Sequence, residues 1–350
     1  MVRSLRLQQF RSYNDATFSL SPSVTIVAGP NASGKTNLLE AVLVVARGSS
    51  YRAKDQELVG HHHEWARIDA TTNSGNRTVK ITMTPLQKVF EIDGVKVKRL
   101  TQPKTLPTVL FEPNHMLLLS GPPELRRTFL DDLLEQTVPG FAEQLRHYKR
   151  VLSQRNTLLK RNPKNLHDQL FVWNIRLSEL GGKIVRERAS LVDTINAEAS
   201  HIYSKIASTT TNINLLYATQ FAVDQYESAL LQKLEASTEL DVLRGFTAHG
   251  PHRDDLQVVF NDKPFQQNAS RGETRTLVLA LKILELRLLE DIRGTKPLLL
   301  LDDVFSELDM SRRAALASFV KEYQTIVTTT DADQLTDIPE YVVITLGQKE

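Results

Sequence analysis

The chain opens on alternation. Leu5, Leu7 and Phe10 begin one strand, and Ser23-Val24-Thr25-Ile26-Val27-Ala28 is a short β-branched strand running into Gly29. Apolar spacing from Asn37 to Ala46 is helical. Alternating stretches follow at 66–72, 78–84 and 89–98, the last containing Asp93-Gly94, a two-residue hairpin signal. From about Pro113 to about Arg244 the period becomes helical. There Leu170, Trp173, Leu177, Leu180, Ile184, Leu191, Ile195, Ala199, Ile202 and Ile206 advance by threes and fours, with one step skipped over Arg188. This stripe predicts a long helix packed on its neighbours rather than a free coiled coil. Gly181-Gly182 marks a candidate bend within it. From about Gly245 the strand and helix texture returns. A helical run at 276–290 precedes Pro297-Leu298-Leu299-Leu300-Leu301, a buried strand ending in two aspartates, and a further strand spans 325–329.

The pattern predicts an α/β fold in two parts. Residues 1–112 and 245–350 form lobe I, a mixed sheet with an antiparallel part, and 113–244 form an inserted, mainly helical lobe II. The chain shows no internal repeat and no long low-complexity tract.

At 350 residues there is ample material for a large core. The formal net charge of +2 announces no polycation, so any nucleic-acid surface must come from local clustering of basic residues. The absence of cysteine excludes disulfides and thiolate zinc sites. No apolar run approaches the roughly 20 residues of a membrane helix, and the N-terminus has no signal core. The expectation is a soluble, unprocessed, cytoplasmic protein without a membrane partner.

One motif changes the picture. Gly29-Pro30-Asn31-Ala32-Ser33-Gly34-Lys35-Thr36 matches G-x-x-x-x-G-K-[ST] in full, after a strand and before a helix. Its glycines let backbone amides turn inward as an anion nest, and the helix adds its positive end. Lys35 would reach the β- and γ-phosphates of a nucleoside triphosphate, and Thr36 would hold Mg²⁺ through its hydroxyl. The strand Leu298–Leu301 delivers Asp302 to the metal, usually through water. Asp303 follows on the other side of the pleat, where a general base or water-positioning carboxylate is wanted. That second acid favours ATP hydrolysis over binding alone. The long separation of the two motifs requires an inserted lobe, the layout of ABC-type and SMC-type ATPases.

Further landmarks carry a resemblance. They include residues 5–20, Gly29 to Asn37, Phe111-Glu112-Pro113, Arg126-Arg127 with Phe129-Leu130-Asp131, and Arg155 to Lys160. His249-Gly250-Pro251-His252-Arg253-Asp254-Asp255-Leu256 is the most specific block, followed by Ala269-Ser270-Arg271-Gly272-Glu273, Leu277 to Lys282 and Leu299 to Asp309. In this order, over nearly the whole chain, they resemble the RecF family of bacterial recombination mediators. The resemblance implies an ABC-type head that closes ATP and Mg²⁺ between two copies, head to tail. Gly29 to Asn37 of one copy would hold the nucleotide, and Ser270 and Gly272 of the other would face its γ-phosphate. Glu273 stands where a glutamine is expected, and an acid there would have to point away or pair with Arg271 or Arg275. Ser306-Glu307-Leu308-Asp309 matches the dimer-facing D-loop. Thr328-Thr329-Thr330 lies where ABC proteins carry a switch histidine. The resemblance also implies binding of duplex DNA and single-strand/duplex junctions, RecR and RecO as partners, and assistance, indirectly, to RecA loading at gaps.

For DNA, the candidate stretch runs from Arg146 to His167. It holds Arg146, Lys149, Arg150, Arg155, Lys160, Arg161 and Lys164 and no acid, and could track phosphates or simply form a solvated helix face. Arg155 and Lys160 match the family pattern, which also fits a structural role. Arg126, Arg127, Lys183, Arg186 and Arg188 are weaker candidates. His61-His62-His63 reads as a loop rather than a metal site, because successive residues rarely converge on one ion. His249 and His252 read as structural or interlobe contacts, and Arg253 with Asp254 and Asp255 as an ion pair. Two other functions fit the motifs: the ATPase subunit of an ABC transporter, and a module that keeps ATP as a structural ligand.

Overall fold

A computed structural model describes residues 1–331 and 340–347, without the side chains of Gln266 and Gln267. Strands β1 (Val2–Phe10) and β2 (Tyr13–Ser19) form a hairpin, and β3 (Val24–Ala28) leads through the glycine loop into α1 (Lys35–Arg47). A meander of β4 (Trp65–Thr72), β5 (Gly75–Met83), β6 (Leu86–Ile92) and β7 (Val95–Val97) precedes β8 (Thr108–Phe111). Next come α2 (Pro123–Thr137), α3 (Phe141–Arg161), α4 (Leu166–Ala207), β9 (Ile213–Ala218), α5 (Tyr226–Ala236) and α6 (Thr238–Arg244). Then follow β10 (Asp255–Phe260), β11 (Lys263–Pro264), the single turn α7 (Phe265–Asn268) and α8 (Arg271–Arg293). The last described elements are β12 (Leu298–Asp302), α9 (Met310–Val320), β13 (Thr325–Thr329) and β14 (Tyr341–Thr345).

Two compact units emerge: Met1–Met116 with Leu281–Glu350, and Leu117–Ala280. The first holds a parallel sheet in the order β14-β3-β13-β12-β8 and an antiparallel sheet in the order β2-β1-β4-β5-β6-β7. The parallel strands β3, β8, β12 and β13 are buried along their full length, which is why Leu298–Leu301 of β12 read as a continuous apolar run. The α1 residues Leu38, Leu39 and 41–46 share one core with Leu5 and Leu7 of β1 and Leu298 and Leu300 of β12. The Asp93-Gly94 turn has φ of 48° and 80°, the positive pair expected of a type I′ hairpin.

The second unit packs α3 and α4 together and adds the sheet β11-β10-β9. This corrects the boundary expected at 244/245. β10 pairs with β9 from Asp255↔Ala218 to Phe260↔Ile213, so the chain beyond Gly245 stays with the helical unit. The return crossing falls within α8. Gly181 and Gly182 do not interrupt α4, which is one helix of 42 residues. A Cβ on Gly182 would lie 2.2 Å from Glu227 Cγ, and one on Gly181 3.2 Å from Leu230 Cδ2, so the pair permits the close approach of α5.

Candidate functional site

The parallel sheet fixes the site. Its strands all point the same way, so their C-terminal ends gather the glycine loop after β3, Glu112 after β8, Asp302 and Asp303 at β12, and Thr328 at β13. The loop needs its glycines. Gly34 has φ of 100°, and a Cβ there would lie 3.0 Å from Tyr13 Oη and 3.1 Å from Ser12 Oγ. A Cβ on Gly29 would lie 2.5 Å from the Leu346 carbonyl oxygen. That carbonyl stays close because Leu346 N–H donates to Ala28 O at 2.8 Å, extending the β14–β3 ladder.

Gly34 caps α1 without a side-chain hydrogen bond, which leaves the orphan N–H groups of the first turn to an anion. Ser33 Oγ is buried with no partner, as expected of a hydroxyl whose partner is a ligand. Lys35, only 8% exposed, folds its ammonium onto Gly29 O (2.7 Å) and Pro30 O (2.8 Å). It lies along the loop it would share with phosphates.

The distant acid closes the nest. Thr36 Oγ1 donates to Asp302 Oδ1 at 3.1 Å, Thr328 Oγ1 donates to the same oxygen at 2.6 Å, and Tyr51 Oη donates to Oδ2 at 3.0 Å. Hydroxyl and carboxylate oxygens on one point form the hard donor set that suits Mg²⁺ completed by phosphates and water. The residues present therefore fit the metal. Asp303 has φ of 52°, and its N–H donates to Thr328 Oγ1 at 3.0 Å. Burial and the neighbouring Asp302 raise its carboxyl above the ordinary range, against the pull of Lys35, which suits a proton acceptor. Glu112 is raised for the same two reasons.

Sequence reasoning missed Tyr51, Thr328 as a brace for the acids, and the frame around Glu40. Glu40 is fully buried on α1 and takes Arg11 through two bonds (2.8 and 2.9 Å), Ser50 (2.5 Å) and Arg52 (3.2 Å). Burial works to raise its pKa, yet those donors hold it below the usual range. The available signal was an acid inside an otherwise apolar helix face.

Ser270 and Gly272 lie in the other unit. Ser270 caps α8: its Oγ accepts from Glu273 N–H at 3.2 Å, and its own N–H donates to Glu273 Oε2 at 2.7 Å. This is a capping box, in which the Glu273 carboxylate does what a glutamine amide oxygen would do. In the segment 306–309 expected to face a second copy, Ser306 is exposed and donates to Asp303 O at 2.7 Å, and Met310 just beyond it is exposed.

The basic stretch divides. Arg146, Lys149, Arg150, Lys160 and Arg161 are exposed on α3, and Lys164 follows it, also exposed. Arg155 is not a surface residue. It is fully buried and bonds Asp241 (2.8 Å), Asn174 (2.8 Å) and Thr247 (2.7 Å). At about 100° per residue it lies opposite the Arg146–Lys160 stripe. Arg126 and Arg188 are also buried, each forked onto one carboxylate, Asp255 and Asp131. Arg127 donates to Asp254 O, and Arg186 pairs with Glu227. Arg253 does not pair with Asp254 or Asp255. It stacks over Phe246 at 5.0 Å, and Asp254 accepts from Tyr217 instead. His252 is structural: Nε2–H donates to Thr247 O (3.1 Å), leaving Nδ1 to accept from Tyr148 Oη (2.7 Å).

Comparison with known proteins agrees with this geometry. The sequence matches the family described as RecF/RecN/SMC N terminal domain over residues 1–350. It is 34% identical to the DNA replication and repair protein RecF of Lachnoclostridium phytofermentans, over 95% of this chain and 94% of that protein. The chain belongs to the RecF family. The RecF of Nostoc punctiforme is 35% identical over 94% of this chain and 92% of its own. A solved structure of the recombination mediator protein RecF-ATPrS superposes with a TM-score of 0.90 at 26% identity, covering 99% of this chain and 96% of that one. An Smc head bound to a ScpA domain shares the fold, with a TM-score of 0.58 at 15% identity. Membership in a RecF/SMC-type ATPase family sets aside the transporter-subunit alternative. No described helix is long and apolar enough to cross a membrane.

Proposed function

We propose that this RecF-family chain is an ATP-gated DNA clamp of replication and repair. The observation that carries the reading is the convergence of Thr36, Asp302 and Thr328 beside a glycine nest with an unpartnered serine hydroxyl. In this reading the Gly29–Asn37 loop holds the triphosphate, with Lys35 on the β- and γ-phosphates, and Thr36 and Asp302 hold Mg²⁺. Bound Mg²⁺ supplies charge neutralisation at the phosphates. Asp303 orients and deprotonates the attacking water.

A second copy, head to tail, completes the site with Ser270 and Gly272 and presents the Ser306–Asp309 loop. The γ-phosphate then belongs to the interface, and its loss on hydrolysis removes charge-assisted contacts and opens the dimer. The closed dimer holds duplex DNA beside a single-strand junction through Arg146, Lys149, Arg150, Lys160, Arg161 and Lys164. In the cytoplasm, with RecO and RecR, it assists RecA loading at gaps. Support for these partners is family membership.

The test is steady-state ATP hydrolysis with and without gapped duplex DNA, beside Lys35→Arg. A slow rate that DNA raises and the variant lacks is the expected result. A rate indifferent to DNA removes the clamp and leaves an ATPase without a DNA role, and no rate at all returns ATP to a purely structural ligand.

A further inference from the structure

A cavity of about 260 Å³ lies within the second unit, where α2, α3 and α4 meet the turn Pro251–Arg253. Two of the sequence landmarks that the phosphate loop leaves unused meet in its wall: Arg127 and Asp131 come from α2, and Pro251 and His252 from the turn. The wall is fixed in advance. Arg188 Nη1–H donates to Pro251 O at 2.8 Å, Arg127 Nη1–H donates to Asp254 O at 2.7 Å, and Tyr148 Oη is bonded to His252 Nδ1 at 2.7 Å. The volume lies just below the range of about 300–1,000 Å³ usual for small-molecule sites, so the cavity suits one residue of a longer ligand rather than a nucleotide.

Part of the lining is apolar: Leu145, Ile184 and Pro251 are buried, and Leu152 is half-buried. The rest carries charge. Arg127, Lys149 and Arg188 stand against Glu124 and Asp131, three cations to two carboxylates. His252 adds no charge near neutral pH, because burial lowers it to about 4. Arg188 spends its fork on Asp131 at 2.8 and 2.9 Å. Among the described residues Arg127 donates to Asp254 O alone, which leaves most of its planar fork for a ligand. Burial and the neighbouring Arg188 hold it below the usual arginine range, so an added anion is favoured there. Lys149 is exposed and supplies a second donor.

Charge and apolar lining together narrow the ligand. A nucleic-acid phosphate brings nothing to cover Leu145, Leu152 and Ile184, and a free amino acid brings an ammonium that the surplus positive charge repels. The last residue of a peptide has one carboxylate and no ammonium, and an apolar side chain on it matches the leucines and the isoleucine. We propose that this cavity docks the C-terminal residue of a partner protein that ends in an apolar side chain, with the carboxylate on Arg127 and Lys149 and the side chain against Leu145, Leu152 and Ile184.

The test is titration of the full-length protein, read by fluorescence anisotropy, with three N-terminally labelled glycine–serine peptides: one ending in leucine with a free carboxylate, the same peptide amidated, and one ending in glycine. The amide is expected to bind about tenfold more weakly, the scale of a lost hydrogen bond to a charged group. The glycine peptide is expected to lose about as much, through the unburied side chain. Arg127→Met, which keeps an apolar stem, is expected to bind acid and amide alike. The comparison of acid with amide on the unaltered protein needs no variant to fold. Equal binding of the two by that protein, or no binding of either at millimolar concentration, overturns the site. Inorganic phosphate that displaces the leucine peptide as well as unlabelled peptide does makes the cavity a phosphate site, and free leucine that does so makes it an amino-acid site; either result overturns the proposal.

Discussion

Thr36 and Asp302, 266 residues apart in sequence, are joined by a hydrogen bond of 3.1 Å, and Tyr51 holds the other oxygen of the same carboxylate at 3.0 Å. The carboxylate is therefore held in place by the protein's own hydroxyls, as the proposed Mg²⁺ site requires. Removing the phenol by Tyr51→Phe deletes a bond to a charged group, worth about 1.5 kcal/mol or roughly tenfold. The Mg²⁺ concentration for half-maximal hydrolysis should rise by about that factor, with nucleotide binding in EDTA unchanged. A Mg²⁺ titration identical to that of the unaltered protein would reduce Tyr51 to a packing role.

In the proposed mechanism Asp302 holds the metal and Asp303, which turns at a positive φ of 52°, is the base. Asp303→Asn keeps the shape and removes that base. Hydrolysis should fall at least about 100-fold while ATP still binds, and the ATP-dependent dimer should dissociate more slowly. Light scattering after dilution reads the dissociation. A dimer that opens as fast as before rules Asp303 out as the hydrolytic residue.

Arg155 and its neighbours on α3 should separate cleanly. Arg155→Ala strands Asp241 in the interior and should cost about 3–5 kcal/mol in urea unfolding. Lys149→Ala and Arg150→Ala should stay within about 0.5 kcal/mol of the parent stability. Each should lower the salt dependence of DNA binding by about one unit of slope.

Glu273 is explained by the cap it forms with Ser270. Glu273→Gln should preserve stability, whereas Glu273→Ala should cost about 1 kcal/mol. Equal losses in the two variants would show that charge, rather than the hydrogen bond, matters at this position.

Acid stability carries two opposed terms from neighbouring residues. Burial lowers His252 to about 4, against the Thr247 carbonyl, so the unfolded chain binds more protons between about pH 4 and 6.5. Stability from this group rises with pH across that window, on the order of 3 kcal/mol. Burial raises Asp254 to about 6, so the folded chain binds more protons between its ordinary value and pH 6, and stability from it falls as pH rises. The two nearly cancel. Asp254→Asn should therefore unmask His252 and steepen the loss of stability from pH 6.5 to 4, read by denaturant melts at stepped pH.

The sequence by itself determined the parts governed by local rules. A complete phosphate loop between β3 and α1, an apolar strand ending in Asp302-Asp303, and the Asp93-Gly94 turn each carry their signal within a few residues, because backbone geometry and strand burial are local demands. The helical period even carried the outward face of α3, and Arg155 falls half a turn away from it. What the tertiary structure alone decided are the partners of buried polar groups. Glu40 needs Arg11 and Arg52, Asp302 needs Tyr51 and Thr328, and β10 pairs with β9, which moved the unit boundary into α8. Desolvation obliges each buried charge to find a partner, and the fold chooses it from across the chain, where no spacing rule reaches.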